Sequence, residues 1–139
     1  MDYIRKEVIP VQIRHFTDAE EVVSALQPSY PVYCLKLSEL KRAAQLFLDH
    51  FPGRVLYAIK CNPHPLVLRA LFEAGIHDFD AASLAEIKAV LKMDKSATTY
   101  FMHPIKFRNE IFDAYNFYGL RHFAIDHAEE LKKIKQEIK

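Results

Sequence analysis

The feature that most restricts the fold of this chain is a repeat of about 22 residues, in which an amphipathic segment precedes a short apolar run. The three glycines, Gly53, Gly75 and Gly119, are separated by 22 and by 44 residues. Each lies between an amphipathic segment and an apolar run, where a helix ends before a strand begins. The four apolar runs occupy residues 55–59, 76–80, 98–102 and 120–125. The repeat predicts alternating strands and helices, and therefore a parallel sheet with right-handed crossovers.

Apolar residues recur at helical spacing between and before these runs. The strongest pattern lies within residues 40–48, and a further short helix is predicted after Thr17. The other predicted helical faces carry Leu68, Leu71 and Phe72; Leu84, Ile87 and Leu91; Phe107, Ile111, Ala114 and Tyr118; and Ala128, Leu131, Ile134 and Ile138. Capping boxes are predicted for the pairs Thr17 and Glu20, Ser83 and Glu86, and Asp126 and Glu129.

Four strand-helix units fit either a small doubly wound sheet or one half of a (β/α)8 barrel, because a complete barrel takes about 250 residues. We predict an α/β fold that forms the N-terminal half of a (β/α)8 TIM barrel. The predicted division is a lead-in segment at 1–35, which holds a short extended run at 31–35, and a partial barrel domain at 36–139. The apolar run at 55–59 is expected to be a strand covered on both faces.

Charge and hydropathy exclude several classes of function. The formal net charge of +1 provides no basic surface for nucleic acid. The apolar runs are too short for a membrane span, and the first seven residues are too charged for a signal peptide. Two cysteines do not form a disulfide framework, so we expect a reducing cytoplasmic location.

Polar side chains follow each predicted strand, where the chemistry of parallel α/β folds is concentrated. These residues are expected to meet at one rim, and they are Lys60, Asp80, His103, Asp126 and His127. If the end of the apolar strand buries Lys60, its pKa falls, and the neutral amine can attack a carbonyl to form a Schiff base. The alternative is a lysine that extends from the strand end into water.

No metal site is predicted. The spacing of Cys61 and His64 resembles a ligand pair, and His103 could join the rim carboxylates around an ion. However, the sequence has no Cys-x-x-Cys or His-x-x-x-His pair to complete the first arrangement. It also has no His-x-His or Glu-x-x-His element, which the second arrangement would need.

Four sequence blocks carry a resemblance to a known family. They are Tyr-Ala-Ile-Lys-Cys-Asn at 57–62, Phe-Asp-Ala-Ala-Ser at 79–83, the His-Pro-Ile-Lys loop at 103–106, and Phe-Ala-Ile-Asp-His with Glu-Glu-Leu within 123–131. Their order and spacing resemble the fold-type III pyridoxal-phosphate decarboxylases, which act on ornithine, lysine, arginine or diaminopimelate. The second block favours the ornithine/lysine branch. The chain departs from the pattern at His103, where Asn is usual, and at His127, where Ser is usual.

The resemblance implies a partial alanine-racemase-like barrel that binds pyridoxal 5'-phosphate. It assigns the covalent cofactor attachment to Lys60, and it places Asp80 and Glu86 beside it as catalytic residues. A capping role for Glu86 is an alternative that can coexist with catalysis. The implied substrate is a small basic amino acid, with ornithine converted to putrescine in polyamine biosynthesis as the first candidate, and the full-length enzyme is expected to be a homodimer.

Several parts that the family needs are not matched. They are a glycine-rich phosphate loop, a histidine that stacks on the ring, a partner for the pyridinium nitrogen and residues contributed across a dimer interface. We therefore interpret the sequence as the N-terminal half of a decarboxylase and expect the chain alone to be inactive. Two alternatives remain, namely a non-catalytic homologue that acts by protein binding and a Schiff-base barrel enzyme without a cofactor.

Overall fold

The structure is a computed structural model that describes residues 13–138. The chain divides into two units between Leu35 and Lys36. In order along the described chain, the elements are α1 (Ala19–Leu26), α2 (Leu37–His50), β1 (Leu56–Ala58), α3 (Pro65–Glu73), β2 (Asp78–Ala81), α4 (Leu84–Met93), β3 (Thr98–Phe101), α5 (Arg108–Asn116), β4 (His122–Phe123) and α6 (Ala128–Glu137). No helix in this part of the chain is long and apolar enough to cross a membrane.

The first unit contains helix α1, and its start differs from the prediction. The N-cap is Asp18, whose carboxylate accepts a hydrogen bond from the Glu21 backbone N–H at 2.8 Å. The Glu21 carboxylate in turn accepts the Thr17 backbone N–H at 2.7 Å. The predicted Thr17 and Glu20 box is therefore wrong by one residue, because the aspartate at the next position supplies the better cap. Residues 31–35 form no strand.

The four strands of the second unit form one parallel sheet in the order β1-β2-β3-β4. Each strand overlaps one of the predicted apolar runs, so the predicted alternation and the α/β fold are confirmed. The strands are shorter than the runs, and β4 has only two residues.

The two faces of the sheet differ in chemistry. Phe79, Ala81 and Phe101 are buried against the helices. Asp78 and Asp80 alternate with them and lie on the opposite face, which we call the inner face. All three residues of β1 are only half-buried, and Leu56 and Ala58, which pair with Asp78 and Asp80, lie on the inner face. The prediction that this run is covered on both faces is therefore wrong within the described structure.

The helices pack through two apolar clusters. One joins the sheet to α3, α4 and α5, with Leu68, Ile87 and Ala114 at its centre. The other joins α2 to α3 through Ala44 and Leu71. Most residues of the predicted helical faces are buried or half-buried, but Phe107 lies before α5 and is exposed. Helix α6 is also rotated from its predicted face, because it buries Glu130 and Ile134 and exposes Leu131.

Helix ends follow the predicted pattern in part. Gly75 and Gly119 have φ values of 105° and 67°, in the left-handed region that favours glycine after a helix. Ser83 caps α4 by accepting the Glu86 backbone N–H at 3.3 Å, which confirms the predicted box. The Asp126 and Glu129 box is wrong, because the N-cap of α6 is His127, whose Nδ1 accepts the Glu129 N–H at 3.2 Å.

Candidate functional site

Lys60 lies immediately after β1, at the carboxyl end of the sheet. It belongs to a 3-10 turn at Ile59–Cys61, in which Ile59 is fully buried and anchors the turn. The side chain of Lys60 is exposed, and it makes no hydrogen bond within the described chain. Of the two alternatives that the sequence left open for this lysine, the described residues therefore show the exposed one, because the turn directs it away from the apolar core. Its ε-amine is accessible to a ligand.

The segment that follows Lys60 is tied back to the sheet. The hydroxyl of Tyr57 donates to the backbone carbonyl of Asn62 at 3.3 Å, and its ring packs edge-on against Phe79 with centroids 6.5 Å apart. Burial, with a smaller contribution from Cys61, raises the pKa of the Tyr57 hydroxyl. That hydroxyl therefore remains a neutral hydrogen-bond donor at physiological pH. The turn carrying Lys60 is thus held between a buried isoleucine and an aromatic anchor.

Asp80 lies on the neighbouring strand, on the inner face. It pairs in register with Ala58, two residues before Lys60, and on its other side with Tyr100. Its side chain is half-buried and accepts no hydrogen bond from another described residue. The strand register therefore places an available carboxylate beside the strand that leads into the lysine.

Glu86 is fixed at the end of β2 by the cap of α4. Its Oε2 accepts the backbone N–H of Ala82 at 2.7 Å, while its own N–H donates to Ser83. The half-buried carboxylate thus takes part in the cap and is held at the same end of the sheet as Asp80. The capping role is confirmed, and the catalytic role stays a prediction.

His103, Asp126 and His127 follow β3 and β4 and are exposed. The His103 ring is occupied locally, with Nδ1 at 2.6 Å from the Ile105 carbonyl and 3.2 Å from its N–H. No group of three or more histidine, cysteine or acidic residues in 13–138 is arranged to hold a metal ion.

Lys106, in the loop after β3, is a buried residue that the sequence-based site did not include. Its side chain is 0% exposed and lies 3.3 Å from the Glu130 carboxylate. Burial lowers the pKa of Lys106, although Glu130 acts in the opposite direction. The available signal was the lysine of the loop at 103–106, which matches the family pattern, together with the Glu-Leu pair that begins at Glu130.

A second polar cluster lies at the amino end of the inner face. The Tyr100 hydroxyl donates to the Asp78 carboxylate at 2.9 Å, and Arg54 donates to the same hydroxyl at 2.8 Å. The Tyr100 ring stacks on His122 with centroids 4.5 Å apart. Since Asp78 begins β2 whereas Asp80 lies towards its end, this cluster is separate from the carboxyl-end rim.

Comparison with known proteins gives a consistent result. The family described as "Pyridoxal-dependent decarboxylase, pyridoxal binding domain" matches residues 37–139. Ornithine decarboxylase of Panagrellus redivivus is 39% identical over 80 residues, covering 58% of this chain and 18% of that protein. Ornithine decarboxylase of Saccharomyces cerevisiae is 36% identical over 102 residues, covering 72% and 22% respectively.

A solved structure supports the same relationship. The lysine/ornithine decarboxylase of Vibrio vulnificus, complexed with putrescine, superimposes with a TM-score of 0.73 and 32% identity. The match covers 86% of this chain and 34% of that chain. The chain therefore spans between about a fifth and a third of the length of these relatives.

Proposed function

Since this chain belongs to the pyridoxal-dependent decarboxylases through their pyridoxal binding domain, we propose that it supplies the cofactor-attachment half of a decarboxylase for a basic amino acid. Ornithine, converted to putrescine in polyamine biosynthesis, is the first candidate substrate. The observation that carries the proposal is Lys60, which lies within the matched domain at the carboxyl end of β1 with an exposed amine.

The relatives support the substrate class. The ornithine decarboxylases of Panagrellus redivivus and Saccharomyces cerevisiae align with the chain, and the lysine/ornithine decarboxylase of Vibrio vulnificus has been solved with putrescine. Ornithine and lysine, which these enzyme names specify, are amino acids with a second, terminal amine. The proposal is therefore for this class of amino acid, with ornithine first.

The residues at the rim fit the aldehyde end of pyridoxal phosphate. An exposed primary amine at Lys60 can bond to an aldehyde carbon, and the unpaired carboxylate of Asp80 can stabilise a protonated amine beside it. The described residues include no glycine-rich loop for a phosphate, so this group needs further partners. When bound, pyridoxal phosphate supplies an electron sink for the bond being broken.

Each of the three proposed site residues has a separate role. Lys60 provides the reacting amine, and the 3-10 turn holds it at the rim. Asp80 orients a positive amine through its charge from the adjacent strand. Glu86, fixed by the Ala82 N–H, presents its second carboxylate oxygen as a hydrogen-bond acceptor for a ligand amine or a proton at the same rim.

The proposal extends to the organisation of the protein. We assign 1–35 as a lead-in segment and 36–139 as part of an alanine-racemase-like barrel. We propose a homodimeric full-length enzyme in the cytoplasm, which is supported by the family match and by two exposed, unbridged cysteines, Cys34 and Cys61. Among described residues, no acidic or histidine cluster suggests that a metal takes part.

Covalent labelling tests the assignment of Lys60. The chain is mixed with pyridoxal phosphate, the visible absorbance is recorded, and the adduct is reduced with borohydride before peptide mass spectrometry. We expect a band in the wild type and a label on Lys60, because its amine is both accessible and placed by the matched motif. Lys60→Ala should lose the band and the label.

The matched control is Lys95→Ala, which removes another exposed lysine of the same chain and should leave both signals unchanged. Labelling spread over many lysines, with no dependence on Lys60, would contradict the assignment. A full-length enzyme without any label at Lys60 would instead favour the non-catalytic homologue.

A further inference from the structure

We propose that Lys106 is a positioning residue, which holds the loops after β3 and β4 in one arrangement and thereby shapes the rim that carries Lys60, Asp80 and Glu86. The proposal rests on the proposed function, because it concerns the geometry of that same site. Lys106 itself touches neither substrate nor cofactor, since its side chain is fully buried.

The ammonium group of Lys106 is surrounded by backbone carbonyls from two loops. It donates to the carbonyls of His103 at 2.8 Å, Pro104 at 3.2 Å and Ala124 at 2.6 Å. His103 and Pro104 follow β3, whereas Ala124 follows β4. An ammonium group has three N–H donors, so these three bonds engage all of them. They also join the segments that follow the two strands.

The backbone of Lys106 is bound to α6 as well. Its N–H donates to the Glu130 carboxylate at 3.0 Å, and its carbonyl accepts a hydrogen bond from Lys133 at 2.6 Å. Lys133 also pairs with the other oxygen of Glu130 at 2.5 Å. Three buried or half-buried charges therefore fix the β3-α5 loop against the first turns of α6.

A chain of hydrogen bonds connects this arrangement to the rim. The Ala124 N–H donates to the Phe101 carbonyl at 3.0 Å, which joins β4 to the end of β3. Met102, the residue after Phe101, donates its N–H to the Ala81 carbonyl at 2.9 Å. Ala82, the residue after Ala81, donates its own N–H to the Glu86 carboxylate. A shift of the clamped loops is therefore transmitted to the residues that hold the Glu86 carboxylate.

Removing the ammonium would leave these carbonyls without donors inside the protein. Buried backbone carbonyls are almost always paired, and an unpaired group carries its full desolvation cost. Without Lys106, we expect the loops to separate so that water reaches the carbonyls. The rim would then lose its arrangement while the apolar core below it remains packed.

The experiment compares Lys106→Met with the wild-type chain, both mixed with pyridoxal phosphate. Methionine keeps the apolar stem and removes the charge and donors. We expect the affinity for pyridoxal phosphate, measured by the Lys60-dependent absorbance band, to fall by about tenfold, the size of effect seen when hydrogen-bond partners behind metal ligands are removed. The pH midpoint of that band should also shift, and amide exchange should accelerate in residues 102–107 and 124–127.

Two controls separate positioning from stability. Lys92→Met removes an exposed lysine, and Ile76→Val removes a buried methyl before β2, at the opposite end of the sheet. Neither should change the pH midpoint of the band or exchange in the two loops. If Lys106→Met does not fold, Lys133→Met is measured instead, and it should shift the same quantities in the same direction by a smaller amount.

The outcomes distinguish this proposal from the proposed function. A wild-type chain with no Lys60-dependent band would overturn the function, and the positioning role with it. If the wild type forms the band and the lysine variants retain its affinity, its pH midpoint and slow loop exchange, the positioning proposal is wrong and the function stands.

Discussion

Lys60 and Lys106 are the two lysines in the segments that follow the strands, and they occupy opposite environments. Lys60 is exposed and makes no hydrogen bond within the described chain. Lys106 is buried and donates to three carbonyls. An amine can react with an aldehyde only if the aldehyde reaches it, so of these two lysines only Lys60 offers an accessible amine. Lys106 instead supports the structure around it.

Glu130 predicts an acid-sensitive contribution to stability. Burial acts to raise the pKa of its carboxyl, but hydrogen bonds from Lys133 and Lys106 outweigh burial and hold the pKa below its ordinary value. A carboxyl with a lowered pKa in the folded state stabilises the fold above its unfolded pKa. This contribution is lost as the pH falls below about 4.5 and through the folded pKa.

We therefore expect Glu130→Gln to lower the free energy of unfolding by about 1–3 kcal/mol at pH 7, because it leaves charged partners unpaired. The difference from the wild type should shrink in acid, and urea unfolding at several pH values measures it. Glu129→Gln is the control, because Glu129 is 67% exposed and should have little effect. A pH-independent difference would contradict this account of Glu130.

At the scale of elements, three of the four helices that follow strands begin on side-chain caps, whereas α5 begins after Phe107 without one. Ser83 caps α4 and His127 caps α6. Each cap determines where a loop stops and a helix starts. The cap of α4 also holds Glu86, a proposed site residue, and it therefore connects helix stability with site geometry.

The α4 cap predicts a measurable loss of stability. Ser83→Ala removes the acceptor for the Glu86 N–H and should cost about 1 kcal/mol in the free energy of unfolding. Ser38→Ala, at an exposed position in the first turn of α2 where no side-chain cap forms, is the matched control. Chemical denaturation of both variants measures the difference, and equal effects would contradict the capping role.

At the scale of the whole second unit, the sheet has two edges. Within residues 13–138, β1 pairs only with β2, and β4 pairs only with β3. The inner face is half-buried, and exposed parallel edges offer unpaired backbone groups to another chain. The arrangement of a half-barrel therefore carries a tendency to associate.

We expect the 139-residue polypeptide to be poorly soluble or to self-associate as its concentration rises, and size-exclusion chromatography with light scattering measures this. Leu56→Lys places a charge on edge strand β1 and should reduce association. Leu46→Lys, on the exposed side of α2, should reduce it less. A stable monomer at high concentration would contradict the expectation.

Much of the fold was predictable because periodicity is a local property. The apolar runs overlapped all four strands, and Gly75 and Gly119 marked helix ends that need a positive φ. Caps were less predictable, since neighbouring polar residues compete for the same N–H groups. Asp18 replaced Thr17, and His127 replaced Asp126, for this reason.

The proposed site was predictable in position but not in environment. Parallel strands bring their carboxyl ends to one edge, so Lys60, which follows β1, and Asp80, on β2, were correctly placed at the ends of adjacent strands. The exposure of Lys60 depends on a turn whose direction no local pattern specifies. The predicted face of α6 was wrong, because the polar residue Glu130 is buried there. Its partners are Lys106, 24 residues earlier in the chain, and Lys133 on the same helix.

The amino-acid sequence alone determined the order of strands and helices, the family resemblance and the positions of Lys60, Asp80 and Glu86 along the chain. These follow from spacing and residue type, which act over a few neighbours. Only the tertiary structure decided which lysine is exposed and which is enclosed by carbonyls. Burial and charge pairing depend on segments that meet in space, and the sequence order of those segments does not specify their contacts.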